Sequence, residues 1–244
     1  MSNTHFGFKT VAEEEKSSLV RDVFDSVASR YDIMNDAMSF GAHRLWKREF
    51  VGMVDMRPNL RCLDVAGGTG DIAFRLLDKG AESVTVCDIN EAMLTEGRAR
   101  ADNANRLKGI EFLCADAENL PLPASSFNLY TIAFGIRNVT HIDKVLSEAH
   151  RVLAPGGRFM CLEFSHVTHP LLAKAYDAYS FGLIPKMGKL IAGKAEPYQY
   201  LVESIRRFPT QGTFSQMIRE AGFEQVRYVN LAGGAVAIHS GYKI

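Results

Sequence analysis

The order of its signals predicts that this chain forms a doubly wound α/β fold around a mostly parallel, seven-stranded sheet. Three observations carry that expectation. Short apolar runs alternate with amphipathic stretches between residues 61 and 164. A glycine turn, Gly67-Gly68-Thr69-Gly70, joins the first of those runs to the stretch after it. Two further strand-like runs close the chain around a Gly233-Gly234 pair. Strands and helices in alternation place helices on both faces of a parallel sheet, and the closing pair adds an antiparallel C-terminal edge strand.

Leu19, Val20, Val23, Phe24 and Val27 recur at helical spacing, so residues 11–30 read as an amphipathic helix. A polar turn over 31–40 leads to a second helix near 43–54 that carries Trp46. The strands expected next are Leu63–Ala66, Ser83–Cys87, Ile110–Cys114, Phe127–Phe134 and Arg158–Phe164, with helices over Ile72–Leu77, 91–103 and 141–153 between them. Pro155-Gly156-Gly157 cannot continue the last of these helices. Residues 170–210 break the rhythm and are too apolar for a solvated tether, so they read as a helical lid insertion. A helix over Thr213–Ala221 and strands at Phe223–Leu231 and Ala235–Tyr242 complete the chain.

Composition excludes several classes. Lys and Arg total 28 and Asp and Glu total 28, a balance without the basic surplus that phosphate neutralisation demands, so no nucleic-acid partner is expected. No apolar run approaches the roughly 18 residues that span a bilayer, and residues 1–9 lack a signal-peptide core, so a cytoplasmic protein is expected. Cys62, Cys87, Cys114 and Cys161 lie far apart in apolar runs and read as buried strand residues. His166 and His169 have no acidic or cysteine partner at ligand spacing, so no metal is expected.

In an open α/β sheet, ligands bind beyond the carboxyl ends of the strands. The loop Asp64-Val65-Ala66-Gly67-Gly68-Thr69-Gly70 lets backbone approach a ligand closely. Gly68-x-Gly70-x-x-Ala73 also satisfies a relaxed dinucleotide fingerprint, so a nicotinamide cofactor competes at this point. Asp88 ends the second strand, where a carboxylate accepts from a ribose diol under either reading. Asp116 ends the third strand, where it can accept from an adenine amino group while Ala117 packs on the purine. Taken singly, each acid is as well explained by a turn or helix cap.

The ordered series of Asp64, the glycine loop, Asp88 and Asp116 resembles class I S-adenosylmethionine-dependent methyltransferases, with Ala66 standing where that family has its usual first glycine. The resemblance implies S-adenosyl-L-methionine as methyl donor, held by Gly67, Gly68, Thr69, Gly70, Asp88, Asp116 and Ala117. Residues Tyr31–Trp46 and Arg151–Ser165, with Phe134–Thr140 between them, are similar to the signatures of the ubiquinone/menaquinone biosynthesis C-methyltransferases over essentially the whole chain. Ala154 stands where that family often has Lys, and Ala133 where some members have Ser near the cofactor.

The narrower resemblance implies transfer of a methyl group to a ring carbon of a polyprenylated hydroquinone. Arg137 and Asn138, after the fourth strand, are the expected catalytic residues: the first stabilises a phenolate or organises a water, the second orients a ring oxygen. Tyr31, Asn35, His43 and Glu163 are the expected substrate contacts. Lid residues such as Tyr179, Phe181 and Leu190 suit a prenyl tail, and Lys186, Lys189 and Lys194 suit peripheral contact with the inner face of a membrane. The resemblance is also compatible with a homodimer or a place in a quinone-biosynthesis complex. Rival readings are a methyltransferase of another lipid or small molecule and a non-catalytic cofactor-binding scaffold. One domain is expected over 1–244: a helical cap (1–57), a cofactor-binding core (58–168), the lid (169–211) and a closing helix and hairpin (212–244).

Overall fold

The computed structural model describes residues 2–25, 36, 39, 41–168 and 196–244. The polar turn and its candidate residues Tyr31 and Asn35, and the lid segment 169–195 with its lysines, lie outside the described residues.

The chain opens with a two-stranded antiparallel hairpin, β1 (Asn3–Phe6) and β2 (Lys9–Ala12), that the sequence pattern did not announce. Helix α1 (Glu13–Asp25) and helix α2 (Ala42–Gly52) come next. The core alternates β3 (Arg61–Val65), α3 (Asp71–Lys79), β4 (Ser83–Asp88), α4 (Glu91–Asn103), β5 (Ile110–Cys114), β6 (Phe127–Ala133), α5 (Ile142–Val152) and β7 (Leu153–Phe164). Next come α6 (Glu196–Arg207), which falls within the expected lid, then α7 (Gln211–Glu220), β8 (Glu224–Leu231) and β9 (Val236–Tyr242).

The seven-stranded sheet runs in the order β5-β4-β3-β6-β7-β9-β8. Strands β3 to β7 pair in parallel, and β9 is antiparallel to both its neighbours. The reversed strand therefore sits one place in from the edge, with β8 outermost. Pro155-Gly156-Gly157 end α5 at Val152 as expected. They do not delay β7, because the register slips between Phe127 and Leu129 and absorbs them as a bulge.

Successive side chains of a strand face opposite sides, so β3 sends Cys62 and Asp64 to one face and Leu63 and Val65 to the other. The first face packs against α2, α3, α4 and α6 through residues such as Phe50, Leu76, Leu94 and Leu201. The second packs against α5 and α7 through Leu146, Val152, Phe214 and Ile218. Burial on both faces explains why these strands read as continuous apolar runs. Three of the four cysteines are buried as expected, whereas Cys114 is exposed because it ends β5, an outermost strand.

Two loops meet at the carboxyl edge. Ala66 follows β3 at φ 51°, a left-handed conformation that costs a non-glycine residue about 1 kcal/mol. Its methyl group occupies the space that a side chain on Gly135, after β6, would need. Gly135→Ala is expected to destabilise the chain by about 1–3 kcal/mol through overpacking. Ala66→Gly, nearly neutral alone, should recover most of that loss in the double variant. Urea denaturation of the four proteins measures the cycle, and simple additivity would deny the contact.

Candidate active site

Beyond the carboxyl ends of β3, β4, β5 and β6 lies a cavity of about 380 Å³. Its floor is the loop Ala66–Thr69, where Gly68 takes φ 53°. A methyl group added at Gly67 would fall 2.7 Å from Val86 Cγ1, 2.8 Å from Asp64 Oδ2 and 2.9 Å from the Asp64 carbonyl oxygen, so the loop packs on β3 and β4 too closely for a side chain. Gly70, at φ 81°, begins α3 and lies behind the cavity wall.

Three carboxylates gather at this end. Asp64 is 1% exposed; Oδ1 accepts from Thr131 Oγ1 at 2.8 Å, while Oδ2 is buried without a partner. Burial pushes its carboxyl up to about 7, against the pull of Thr131 and Lys47. Asp88 accepts from the Gly68 amide at 2.8 Å and the Asn90 amide at 2.9 Å, which ties the end of β4 to the glycine loop. Burial raises this carboxyl too, against those two amides. Asp71 opens α3 beside Lys47 Nζ at 2.9 Å and Arg75 Nε at 3.1 Å; burial would raise it, but the two cations outweigh burial and hold it low.

The far wall comes from the loops after β5 and β6. Asp116 accepts the Glu118 amide at 2.9 Å, and Glu118 in turn accepts the amides of Thr140 and His141 at 2.7 and 2.9 Å. Helix α1 roofs this end with Glu13, Ser17, Val20 and Arg21, and Lys16 fastens it by donating to the Val139 carbonyl at 2.7 Å.

Of the residues expected from sequence, Gly67, Gly68, Thr69, Asp88, Asp116, Ala117 and Asn138 line this one cavity. Ala133, at the departure from the family pattern, lines it as well. Arg137 does not. Its side chain is 3% exposed and Nη1 donates to Glu163 Oε1 at 2.7 Å and to the Phe134 carbonyl at 2.6 Å. Glu163, 1% exposed, is thereby turned inward, and burial raises its carboxyl against the pull of Arg137. Both were expected at the substrate, and each instead satisfies the other's buried charge. His43 also lies off the cavity wall: its Nε2 is 2.8 Å from Asp36 Oδ1, and Ser39 Oγ accepts its amide proton at 3.2 Å.

Besides the residues of α1, two contributors from other helices were not expected from sequence. Tyr200 of α6 donates to Asn138 Oδ1 at 3.1 Å and is itself stacked on Phe6 of the hairpin, rings 4.2 Å apart. Lys47 lines the cavity from α2. Its signal was present in the sequence: His43, Lys47, Phe50 and Val51 form the buried stripe of that helix, and a lysine at a core position implies an acidic partner.

A family model described as the ubiE/COQ5 methyltransferase family matches residues 9–243. The ubiquinone/menaquinone biosynthesis C-methyltransferase UbiE of Brucella abortus (strain S19) is 57% identical over 243 residues, covering 98% of this chain and 90% of its own. The mitochondrial 2-methoxy-6-polyprenyl-1,4-benzoquinol methylase of Drosophila melanogaster is 56% identical over 256 residues, covering 99% of this chain and 85% of its own. Among solved structures, a SAM-dependent methyltransferase of Thermotoga maritima has the same fold, with a TM-score of 0.63 at 21% identity over 91% of this chain and 99% of that one. With the sheet order, the cavity and the full-length match in agreement, this chain belongs to the ubiE/COQ5 methyltransferase family.

Proposed function

We propose that the chain transfers the methyl group of S-adenosylmethionine to a ring carbon of a polyprenylated hydroquinone, in the synthesis of ubiquinone, menaquinone or both. The observation that carries this reading is a single cavity into which the glycine loop, Asp88, Asp116 and Asn138 open from successive strand ends. The substrate class comes from the relatives, one named as a polyprenyl-benzoquinol methylase and the other as a ubiquinone/menaquinone biosynthesis C-methyltransferase.

The residues present fit an adenosyl sulfonium. The buried, unpartnered Asp64 Oδ2, on the cavity wall, offers an acceptor for an α-ammonium group. Asp88 accepts from the Gly68 and Asn90 amides and, with about four lone-pair sites in all, retains acceptor capacity for a ribose hydroxyl. Asp116 accepts the adenine amino group and Ala117 packs on the ring, while Gly70 starts the helix that holds the loop, including Thr69, in place. When bound, the cofactor supplies a methyl carbon activated by a positively charged sulfur. The carboxylates around it favour that cation over the neutral thioether left after transfer.

Asn138 orients a ring oxygen of the quinol, so that the electron-rich carbon faces the methyl group. Arg137 works from behind the wall. By holding Glu163 and the Phe134 carbonyl it sets the loop that carries Asn138, a positioning role in place of the expected phenolate contact. Glu163 supports the same wall from outside the cavity, while His43 pairs with Asp36, and Tyr31 and Asn35 remain candidates for the ring pocket. The lid accommodates the prenyl tail, and its lysines bring the protein to the anionic membrane surface where such quinols dissolve.

Three variants test this reading. Asp88→Ala raises the S-adenosylmethionine dissociation constant at least about tenfold in calorimetry, in line with roughly 1.5–3 kcal/mol for charge-assisted hydrogen bonds. Arg137→Ala, assayed where circular dichroism shows it folded, keeps that constant and loses turnover of short-chain demethyl benzoquinol and naphthoquinol; wild-type turnover would remove its assigned role. Lys186, Lys189 and Lys194 changed together to Glu should abolish co-sedimentation with anionic liposomes, and unchanged binding would end the membrane proposal.

A fourth outcome concerns pH. Unfolded Asp64 titrates near 4 and folded Asp64 at about 7, so the folded state binds the extra proton between those values and stability falls as pH rises across that window. Asp64→Asn should remove that fall and be more stable than the cofactor-free wild type above pH 7, by up to about 4 kcal/mol. Parallel pH–stability curves for the two proteins would refute this.

A further inference from the structure

Lys47 is a charged group on the cavity wall that the proposed function leaves unused. It sits in the buried stripe of α2, its side chain is 8% exposed, and it lines the cavity beside Asp64 and the glycine loop. An ammonium group has three protons to donate. Among the described residues, Asp71 Oδ2 at 2.9 Å is its one ion-pair partner, and Asp71 divides its charge with Arg75.

A purely structural lysine in the same part of the molecule provides the contrast. Lys79 of α3 donates to the carbonyls of Val51, Gly52 and Val54 at 2.9, 2.8 and 2.6 Å, spending all three protons to fasten the end of α2. The docking of α2 on α3 thus has a dedicated lysine. Lys47 stands one pair of donors short of that saturation, on the cavity side.

Its neighbour completes the pattern. Asp64 has a buried oxygen without a partner on the same wall, and the field of Lys47 acts on Asp64. A lone acceptor and an under-used cation side by side complement the ammonium and carboxylate of an amino acid. We propose that Lys47 binds the α-carboxylate of the methionine tail of S-adenosylmethionine and, with Asp64, selects cofactors that carry an intact amino-acid tail. The inference rests on the cofactor assignment made with the proposed function.

Calorimetry with adenosyl ligands that differ in the tail tests it. Wild-type protein should bind S-adenosylmethionine at least about tenfold more tightly than its decarboxylated analogue, the loss expected for one charge-assisted pair. Lys47→Met should weaken S-adenosylhomocysteine roughly 10- to 100-fold and leave 5′-methylthioadenosine, which lacks the tail, unchanged. Equal affinity of the wild type for the carboxylated and decarboxylated ligands overturns the proposal, and so does an equal loss for both nucleosides in the variant. The wild-type comparison stands even if Lys47→Met fails to fold. Failure of the wild type to bind any adenosyl ligand would overturn the cofactor assignment itself, a different outcome from binding that is indifferent to the tail.

Discussion

Withdrawal of carboxylates from water at the ends of β3 and β4 is the constraint around which this molecule is arranged. A buried carboxylate costs several kcal/mol unless something answers it, and each of the three is answered differently. Asp88 takes backbone amides, which makes the glycine loop and the end of β4 one rigid unit. Asp71 takes two cations, Lys47 of α2 and Arg75 of its own helix. Asp64 takes a single hydroxyl and keeps an oxygen bare. The sheet thus holds an unspent electrostatic demand at the place where its loops open.

The opposite charge arrangement braces the next loop. Arg137 and Glu163 join the ends of β6 and β7 under the apolar cover of Phe164, whose ring lies 5.5 Å from the guanidinium. Pairs of this kind are weak sources of stability but costly to break from one side. Here the pair fixes a loop whose next residue, Asn138, faces the cavity. That residue is in turn held through Tyr200 and Phe6, so the wall is set from α6 and the N-terminal hairpin as well as from the sheet.

Much of this was legible in the sequence, and the reasons are local. The parallel strands are buried on both faces, so they appear as apolar runs with sharp ends, and an acid at such an end is conspicuous, as Asp88 and Asp116 were. The cofactor loop was legible because glycine leaves few alternatives to a tight turn. What escaped notice depends on partners remote in the chain. The β1–β2 hairpin is short, polar and half exposed, with no period to read. The direction in which Arg137 points is decided by Glu163, twenty-six positions on. Lys47 was legible in principle from its place in an apolar stripe, but only once the helix face was known.

The position of β9 carries a consequence for how the chain assembles. Because β9 lies between β7 and β8, the earlier strand β8 has no place on the sheet until the later one exists. Residues 224–231 can pair into the sheet only with or after residues 236–242. The Phe6–Tyr200 stack likewise joins residues 194 positions apart. Long loops of this kind close slowly. The glycine loop thus rests on contacts close in sequence, whereas the cavity wall rests on distant ones, and the outer edge of β7 is covered only when β9 is in place.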